Sequence, residues 1–575
     1  MTIRGNWGKR RVEEFSRLGE IDRRTFVRLS GAGAAALIFG SGPFTEKAWA
    51  QTSFPSYPFS LGVASGDPLP DGVVLWTRLA PDPLAEDGLG GMPQAVVPVR
   101  WEVATDQAFR RIVRQGTEDA RPELAHTVHV EVAGLQPARE YFYWFRAGSE
   151  QSPVGRTKTV PAAGAAVSQM TFAFVSCQQY EHGYYTAYRR MAEVEKLDLV
   201  VHLGDYVYEY GPNRYVAPGG NVREHVGPET NDLPRYRRRH AQYKTDADLR
   251  AAHAAFPWVV TWDDHEVDNN YADDSPENRT GANATTESFL ARRAAAYQAY
   301  YEHMPLRRTS VPAGPDMQLY RRVTYGNLAE FNVLDTRQFR SNQAAGDGRD
   351  VPNPTQQDPN RSITGAEQEA WLLNGLAASG VTWNVIAQQV FFAQRDFDTS
   401  GGELYAMDAW DGYLSSRNRI MNGVRGRGVR NPVVITGDVH NNWACDLKAD
   451  FYDQGSATLG VEFVGTSVTS GGDGADTSLS QQEVVAENPH IKFFNGQRGY
   501  VRCRLTPQEW RADYRVLPYV KRRGALIYTR ASFAVQAGRP GLQLAATQAP
   551  RGTRVSAALV ESDLERIRSQ ERAGQ

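Results

Sequence analysis

The sequence predicts a protein of the α/β (α+β) class, in which a mixed-sheet sandwich follows a small all-β sandwich domain. Two observations carry this prediction. Short strands with alternating apolar and polar residues fill the chain from Phe59 to about Ala147, with turn residues between them. From about residue 166 onward, short β-branched runs alternate with longer helical segments, which is typical of βαβ units and a parallel or mixed sheet.

Composition restricts the function only coarsely. The chain has 575 residues, 41% of them hydrophobic and 23% charged, which suits a globular protein with two or more domains. Its 64 basic and 66 acidic residues nearly balance, so charge points neither to nucleic acid nor to a membrane surface as the main partner. The basic run from Arg235 to His240 is interleaved with tyrosines, and it predicts a solvated helix face rather than a nucleic-acid-binding domain.

Residues 1–50 have the pattern of an export signal. Arg23 and Arg24 precede a weakly apolar stretch from Leu29 to Gly40, and Ala48-Trp49-Ala50 follows as a cleavage site. This resembles a twin-arginine signal, which predicts the twin-arginine translocase as a partner and a periplasmic or secreted location. The apolar stretch is too short to span a bilayer, so no stable membrane anchor is expected. Export of the folded chain would suit a protein that acquires a metal before it leaves the cytoplasm.

The remaining boundaries follow from composition. We expect an N-terminal β-sandwich over residues 51–160, a Pro- and Ala-rich linker over 151–168, a catalytic domain over 166–545 and a charged helical tail over 546–575. Three cysteines are present, Cys177, Cys445 and Cys503, and their odd number leaves at least one thiol unpaired in an oxidising compartment. Whether Cys445 and Cys503 pair stays open, because sequence separation does not fix the distance between them.

Polar residues follow six of the apolar strands that are predicted from about residue 166 onward. Ligands in open α/β sheets bind beyond the carboxyl ends of strands, so these positions are the candidate site. The endings are Cys177, Gly204-Asp205 with Tyr208, Asp263-Asp264-His265-Glu266, Asp335-Thr336-Arg337, Gln388-Gln389 and Gly437-Asp438-Val439-His440. Carboxylates that converge on one rim repel each other unless cations compensate them, so the set predicts a multinuclear metal site.

Paired metal ions favour phosphoester chemistry. Asp205, beside a glycine at the tip of its strand, could bridge two ions ~4 Å apart that activate a hydroxide and neutralise a phosphoryl group. His265 and Arg337 are the expected catalytic residues that contact the phosphate, the arginine through its bidentate fork. The thiol of Cys177, the phenolate of Tyr208 and the imidazole of His440 suit a transition metal such as iron.

The oxygen ligands suit a harder ion. Asp264, Asn270 and Asp438 are the expected ligands of an ion such as calcium. Asn269 and Asn270 stand side by side after the strand, and either one could face the metal.

These motifs resemble the alkaline phosphatase D (PhoD) family of bacteria. The resemblance covers nearly the whole chain, from the export signal through Ser65-Gly66-Asp67-Pro68 and Val73 to Arg78, the strand endings, and Asp408 to Tyr413. It implies a calcineurin-like metallophosphoesterase core and a secreted alkaline phosphatase that uses iron (Fe³⁺) and calcium (Ca²⁺). It also implies that Cys177, Tyr208 and His440 hold the iron, that Asp205 bridges, and that Asp438 and the Asp264 to Asn270 segment serve calcium.

The expected activity is hydrolysis of small-molecule phosphomonoesters and phosphodiesters to release inorganic phosphate. One alternative is a dedicated phosphodiesterase or phospholipase D-like enzyme. Another is a surface or adhesion protein stabilised by calcium, which would leave His265, Arg337 and the lone thiol unexplained. The physiological substrate and the oligomeric state do not follow from the sequence.

Overall fold

The computed structural model describes residues 53–550, in which two large β-sheets pack face to face with helices outside them. The first strands are β1 (Val63–Leu69), β2 (Gly72–Arg78), β3 (Val97–Ala104), β4 (Ile112–Ala120), β5 (Thr127–Ala133), β6 (Glu140–Ala147), β7 (Glu150–Gln151), β8 (Gly155–Lys158), β9 (Met170–Val175), β10 (Leu199–Leu203), β11 (Pro257–Thr261) and β12 (Arg321–Tyr325). The later strands are β13 (Ala329–Val333), β14 (Arg349–Asp350), β15 (Trp383–Ala387), β16 (Tyr405–Ala406), β17 (Pro432–Thr436), β18 (Asn442–Lys448), β19 (Thr458–Val464), β20 (Ile491–Asn495), β21 (Arg498–Leu505), β22 (Glu509–Leu517), β23 (Tyr528–Gln536) and β24 (Arg539–Thr547).

The helices lie mainly in the second part of the chain. They are α1 (Thr186–Val194), α2 (Leu233–Lys244), α3 (Ala247–Ala255), α4 (Thr286–His303), α5 (Gly365–Ala378), α6 (Leu414–Gly426) and α7 (Leu479–Glu487). Within residues 53–550, no helix is both long and apolar enough to cross a membrane. The predicted export signal, 1–50, lies outside the described residues.

Each large sheet has a parallel centre. One sheet has ten strands in the order β24-β23-β22-β21-β9-β10-β11-β1-β2-β5, and the other has seven in the order β12-β13-β15-β17-β19-β18-β20. Strands β9, β10 and β11 run parallel, as do β13, β15, β17 and β19. The mixed α/β sandwich predicted from the sequence is confirmed.

Three apolar layers hold the sandwich together. Phe172 and Val201 of the ten-stranded sheet meet Phe331 and Val385 of the seven-stranded sheet in a core that excludes water. The outer face of the ten-stranded sheet packs against α1 to α4, and that of the seven-stranded sheet against α5 and α6. Because both sheets are covered on both faces, their central strands are fully buried and mostly apolar, with His202 as a polar residue within β10.

The N-terminal strands form a small sandwich that shares a sheet with the rest of the molecule. Strands β1, β2 and β5 face β3, β4 and β6 across a separate apolar core. Strand β1 also pairs in parallel with β11, with Ser65 opposite Pro257 and Gly66 opposite Trp258. A side chain at Gly66 would lie 2.7 Å from the carbonyl oxygen of Trp258, so glycine is required for this close approach. The ten-stranded sheet therefore runs through both parts of the chain.

Two local predictions differ from the structure. The sequence predicts a helical tail over residues 546–575. Its first two residues, Ala546 and Thr547, instead belong to strand β24 and pair with β23, and residues 551–575 lie outside the described part. The predicted solvated face from Arg235 to His240 is largely buried, with Arg239 1% and His240 0% exposed. The reason is that α2 packs both on the ten-stranded sheet and against α4.

All three cysteines are buried and unpaired.

Candidate metal centre

The two sheets bring their strand ends to one rim. Cys177 follows β9, Asp205 follows β10, and Asp264 follows β11, all in the ten-stranded sheet. Asp438 and His440 follow β17 of the other sheet. The two rims touch, because Ser176 forms a bridge with Ser467 and a side chain at Gly437 would lie 2.6 Å from the Ser176 hydroxyl oxygen.

Five of the predicted metal ligands adopt left-handed backbone conformations. The φ angles are 59° at Cys177, 56° at Asp205, 51° at Asn270, 63° at Asp438 and 57° at His440. This conformation costs a residue with a side chain about 1–2 kcal/mol, and such strain concentrates at functional sites. Its repetition at these positions indicates that the surrounding fold holds the turns so that their side chains point into one space.

The thiol half of the site is closely assembled. One ligand atom each of Cys177, Asp205 and His440 lies within 4.8 Å of the others. Tyr208 Oη donates to Asp205 Oδ2 at 2.8 Å and lies 3.2 Å from His440 Nε2. Ser470 Oγ lies 2.7 Å from the same phenol oxygen and donates to the carbonyl of Cys177 at 2.8 Å. Four unlike donor groups thus converge closely enough to bind one ion.

A second group shares Asp205. One ligand atom each of Asp205, Asp264 and His265 also lies within 4.8 Å of the others. The backbone N–H of Asn270 donates to Asp264 Oδ2 at 2.7 Å, and its side-chain amide donates to Asp347 at 3.0 Å. The side-chain amide of Asn269 donates to Glu277 at 2.7 Å. Asn270 is therefore the asparagine that lies against Asp264.

Asp438 lies on the outer side of this half. It is partly exposed and belongs to neither of the two groups of converging atoms. Burial raises its carboxyl pKa to about 6, and neighbouring Arg337 acts in the opposite direction. The calcium role expected for Asp438 therefore stays a prediction.

The residues present fit metal ions. Asp205 Oδ1 and Asp264 Oδ1 are buried oxygens without a hydrogen-bond partner, and an unpaired buried carboxylate oxygen is costly unless a cation meets it. Burial raises the pKa of Asp205 and, with the Asp205 charge, that of the Cys177 thiol. Burial lowers the pKa of His440 to about 3, so its imidazole is neutral and able to ligate. Metal ions would occupy the buried carboxylate oxygens that have no hydrogen-bond partner, beside a thiol and a neutral imidazole that can ligate.

His265 is held by a carboxylate that the sequence reasoning missed. Its Nδ1 lies 2.8 Å from Glu209 Oε2, and Glu209 Oε1 accepts the backbone N–H of Asn269 at 2.9 Å. The imidazole ring stacks on Tyr208, with ring centres 4.1 Å apart. Although burial opposes it, the Glu209 charge raises the pKa of His265 well above its usual value. Glu209 directly follows Tyr208 in the sequence, and that adjacency was the available signal.

Arg337 does not face the open side of the site. Its side chain is 0% exposed, and its Nε donates to Asp263 while Nη1 donates to Asp408 Oδ1 at 2.9 Å. A second arginine, Arg340, donates to the same Asp408 oxygen at 2.6 Å. The guanidinium also lies 3.8 Å from Asp264. Arg337 therefore holds the acidic loop after β11 in place instead of presenting its fork to a ligand.

Glu266 fixes the backbone of two strand-end turns at once. Its carboxylate accepts the N–H groups of Tyr206 at 2.6 Å, Asp263 at 2.9 Å and Asp205 at 3.2 Å. The Asp-Asp-His-Glu motif alone does not predict this role. Ser470 was missed because it lies in the loop after β19, a seventh strand that ends at the same rim and was not among the six strand endings.

Fold and site together define a phosphoester hydrolase whose site is built to bind metal ions. The chain belongs to the PhoD-like phosphatase family. The family profile matches residues 172–514, and the profile of the family's N-terminal domain matches residues 45–161. The resemblance seen in the sequence is thereby confirmed.

Two relatives support this membership. The chain is 57% identical over 562 residues to alkaline phosphatase D of Bacillus subtilis (strain 168), which covers 97% of this chain and 95% of the relative. It is also similar to a solved structure described as "Structure of PhoD", with 58% identity and a TM-score of 0.85 over 91% of this chain and 100% of the other.

Proposed function

We propose that this phosphoester hydrolase acts outside the cytoplasm as an alkaline phosphatase on small-molecule monoesters and diesters. The observation that carries the proposal is the position of Asp205, whose carboxylate lies within 4.8 Å of ligand atoms of Cys177 and His440 and also of a ligand atom of Asp264. A shared carboxylate between two sites is the arrangement by which paired ions clamp the oxygens of an in-line displacement. The similarity to alkaline phosphatase D supports the same substrate class.

The two halves of the site differ in ligand chemistry. We assign Fe³⁺ to Cys177, Tyr208 and His440, because thiolate, phenolate and imidazole favour a transition metal. We assign Ca²⁺ to Asp264, Asn270 and Asp438, whose oxygens favour a hard ion. Asp205 would bridge them. The bound ions would lower the pKa of water and neutralise phosphate oxygens.

The protein's own groups position the substrate and its protons. His265 has its Nδ1 engaged by Glu209, so Nε2 is the nitrogen left to face a phosphate. Because Glu209 favours the charged imidazole, this Nε2–H can donate to a phosphate oxygen or to the departing alkoxide. Arg337 acts indirectly, through Asp263 and Asp264, and is a positioning residue in this proposal.

Metal analysis tests the assignment of the thiol. Cys177→Ser should lose most of its bound iron and its activity, whereas Cys503→Ala, which removes a buried thiol from the core between the sheets, should keep both. The measurement is elemental analysis of the purified variants, with circular dichroism to verify folding. Iron retained in full by Cys177→Ser, or zinc in place of iron in the unaltered protein, would contradict the assignment.

A pair of substrates separates the proposed activity from its alternatives. The purified protein should release nitrophenol from both nitrophenyl phosphate and its bis-ester. Negligible cleavage of the monoester would favour a dedicated phosphodiesterase. Absence of cleavage of either ester, with calcium-dependent stability intact, would favour an adhesion role.

We also propose export through the twin-arginine pathway. Conservative replacement of both Arg23 and Arg24 by lysine should retain the protein in the cytoplasm, whereas Arg28→Lys, in the same segment, should not. Cell fractionation with an activity assay measures the outcome. Export of the double variant at the normal level would contradict the proposed pathway.

A further inference from the structure

A cluster of basic side chains surrounds the ring of Tyr206 on the helical side of the ten-stranded sheet. Lys244 Nζ lies 5.2 Å from the centre of this ring. The rings of His202, His253 and His240 lie 5.1, 5.9 and 6.3 Å from it, measured between ring centres. Strand β10 and helices α2 and α3 supply these four groups, which we call the Tyr206 cluster.

The cluster is buried and has no counter-charge of its own. Lys244 is 1% exposed, His202 and His240 0%, and His253 2%. Lys244 Nζ lies 4.4 Å from the ring centre of Trp76, a cation–π contact. Among the described residues, no carboxylate forms an ion pair with it. A buried lysine without a carboxylate keeps its proton only if another anion accompanies it, and otherwise favours the neutral amine.

Each histidine of the cluster has at least one ring nitrogen without a hydrogen-bond partner among the described residues. His202 Nδ1 accepts the N–H of Gly204 at 3.3 Å, so Nε2 carries the proton, and this nitrogen has no partner within the described chain. Tyr206 Oη lies 2.7 Å from His253 Nε2, and the Nδ1 of this ring has no hydrogen-bond partner within the described chain. Both ring nitrogens of His240 are unpartnered as well.

The surroundings add positive charge instead of removing it. His240 stacks on His303, with ring centres 5.1 Å apart, and His303 Nε2 accepts from Arg78 at 2.7 Å. Arg239, next to His240, donates to backbone carbonyls. Burial, Lys244 and Arg239 together lower the pKa of His240. The carboxylates of Glu302 on α4 and of Asp246 after α2 are paired with Arg237 and Arg223, each at 2.6 Å, so neither forms an ion pair with Lys244.

We propose that the Tyr206 cluster binds a small inorganic anion of the halide class. A single anion would accept hydrogen bonds from the unpartnered imidazole N–H groups and would compensate the ammonium of Lys244. Water alone would satisfy the hydrogen bonds but not the charge. The site is separate from the phosphoester chemistry, since its members are neither predicted metal ligands nor in hydrogen-bond contact with one.

Thermal unfolding in two salts tests the proposal. Sodium chloride should raise the unfolding midpoint by about 2–4 °C over sodium methanesulfonate at equal ionic strength and pH 6.0, because a monatomic anion can contact the buried ammonium more readily than a bulky sulfonate. Lys244→Met, which keeps the length of the side chain and removes the charge, should lose this difference. Lys196→Met, at an exposed lysine, should retain it. No chloride effect in the unaltered protein, or an equal effect in Lys244→Met, would overturn the proposal.

If Lys244→Met fails to fold, crystallography with bromide tests the proposed anion site in the unaltered protein. Crystals of the unaltered protein grown in sodium bromide should show an anomalous peak in contact with Lys244 Nζ and at least one unpartnered imidazole nitrogen. Density for water alone at that position would overturn the proposal.

Discussion

Glu209 stabilises His265 in the charged form and fixes the direction of its free nitrogen. The carboxylate is 2% exposed and divides its oxygens between the imidazole and the backbone of Asn269. A buried carboxylate–imidazole pair favours the protonated ring, because the two charges compensate each other. At the scale of a single residue, Glu209 therefore links the loop after β10 to the proton donor of the site.

Glu209→Gln should reduce kcat/KM by about 10–100-fold, the usual cost of removing a group that orients a residue at a metal site. Glutamine keeps the shape and the contact with Asn269 but removes the charge that favours protonated His265. Steady-state kinetics and metal analysis of Glu209→Gln measure the effect, with the exposed Glu224→Gln as the matched control. Unchanged kcat/KM in a folded, metal-loaded variant would show that the pair does not contribute.

The strand-end pattern identified rim residues after six strands, because the carboxyl ends of parallel strands meet there, but it did not include the ending of β19 and so missed Ser470. Cys177, Asp205 and His440 follow this rule. The surroundings of Arg337 did not follow from it, because Asp408 comes from a distant loop whose position depends on the packed fold. Glu209 was missed because two adjacent residues on a loop can face different partners, and only the loop conformation decides which one faces His265.

Glycines at the turns set how closely the strand-end elements approach. Gly204 has φ of 108°, and a side chain there would lie 2.4 Å from the Cβ and 2.5 Å from the backbone nitrogen of Asp263. The turns after β10 and β11 are thus in direct backbone contact. This approach places Asp205 and Asp264 near each other, which repulsion between their charges alone would oppose.

Gly204→Ala should destabilise the fold by roughly 3 kcal/mol or more, because it combines a strained backbone with a clash against another turn. The control is Gly164→Ala, where φ is 72° and a side chain would meet nothing within 4 Å. That change should cost only about 1–2 kcal/mol of backbone strain. Urea unfolding measures both, and equal losses in the two variants would refute the close-contact argument.

Helix α2 ends on a lysine whose burial makes stability depend on pH. Burial lowers the pKa of Lys244 from 10.5 to about 7, with Trp76, Tyr206 and three neutral histidines as its neighbours. Between these two values the unfolded chain binds more protons than the folded one. The free energy of unfolding should therefore rise as pH increases from about 7 to 10.5, with the full penalty present below pH 7.

Lys244→Met should flatten this dependence. Near pH 7 the variant should exceed the unaltered protein in stability by several kcal/mol, and the difference should shrink toward pH 10. Urea unfolding across this range, in methanesulfonate salts so that no halide compensates the charge, measures the effect. Lys196→Met serves as control, and parallel curves for the two variants would contradict the prediction.

The ten-stranded sheet joins the N-terminal sandwich to the catalytic part, which the sequence predicts as two separate domains. Strand β1 covers the edge of β11, and Asp67 accepts from Arg321 Nε and Nη2 at 2.9 and 2.7 Å. The linker expected over 151–168 contains β8, which pairs with β6. The alternation of polar and apolar residues predicted the first sandwich, and the alternation of strands and helices predicted the second. Neither pattern shows which edge strands pair, since pairing partners lie far apart in sequence.

A chain that begins at residue 161 should not fold stably. Removal of β1 would expose the backbone of β11, and an open edge strand with an apolar face favours aggregation. Expression of the shortened chain, followed by size-exclusion chromatography and circular dichroism, tests this expectation. Asp67→Ala in the full chain is a milder variant and should lower the unfolding midpoint without aggregation. A soluble, active shortened chain would show that the shared sheet is dispensable.

The shared sheet also constrains the order of events on the ribosome. Strand β1 is synthesised early, yet its parallel neighbour β11 comes nearly two hundred residues later, with Ser65 opposite Pro257. The hairpin of β1 and β2 can form at once, but its outer edge must wait until β11 emerges. Strand β9 waits longer still for β21, where Phe174 lies opposite Val501. The nascent chain therefore carries unpaired strand edges through most of its synthesis, and its solubility in that interval depends on whatever shields them.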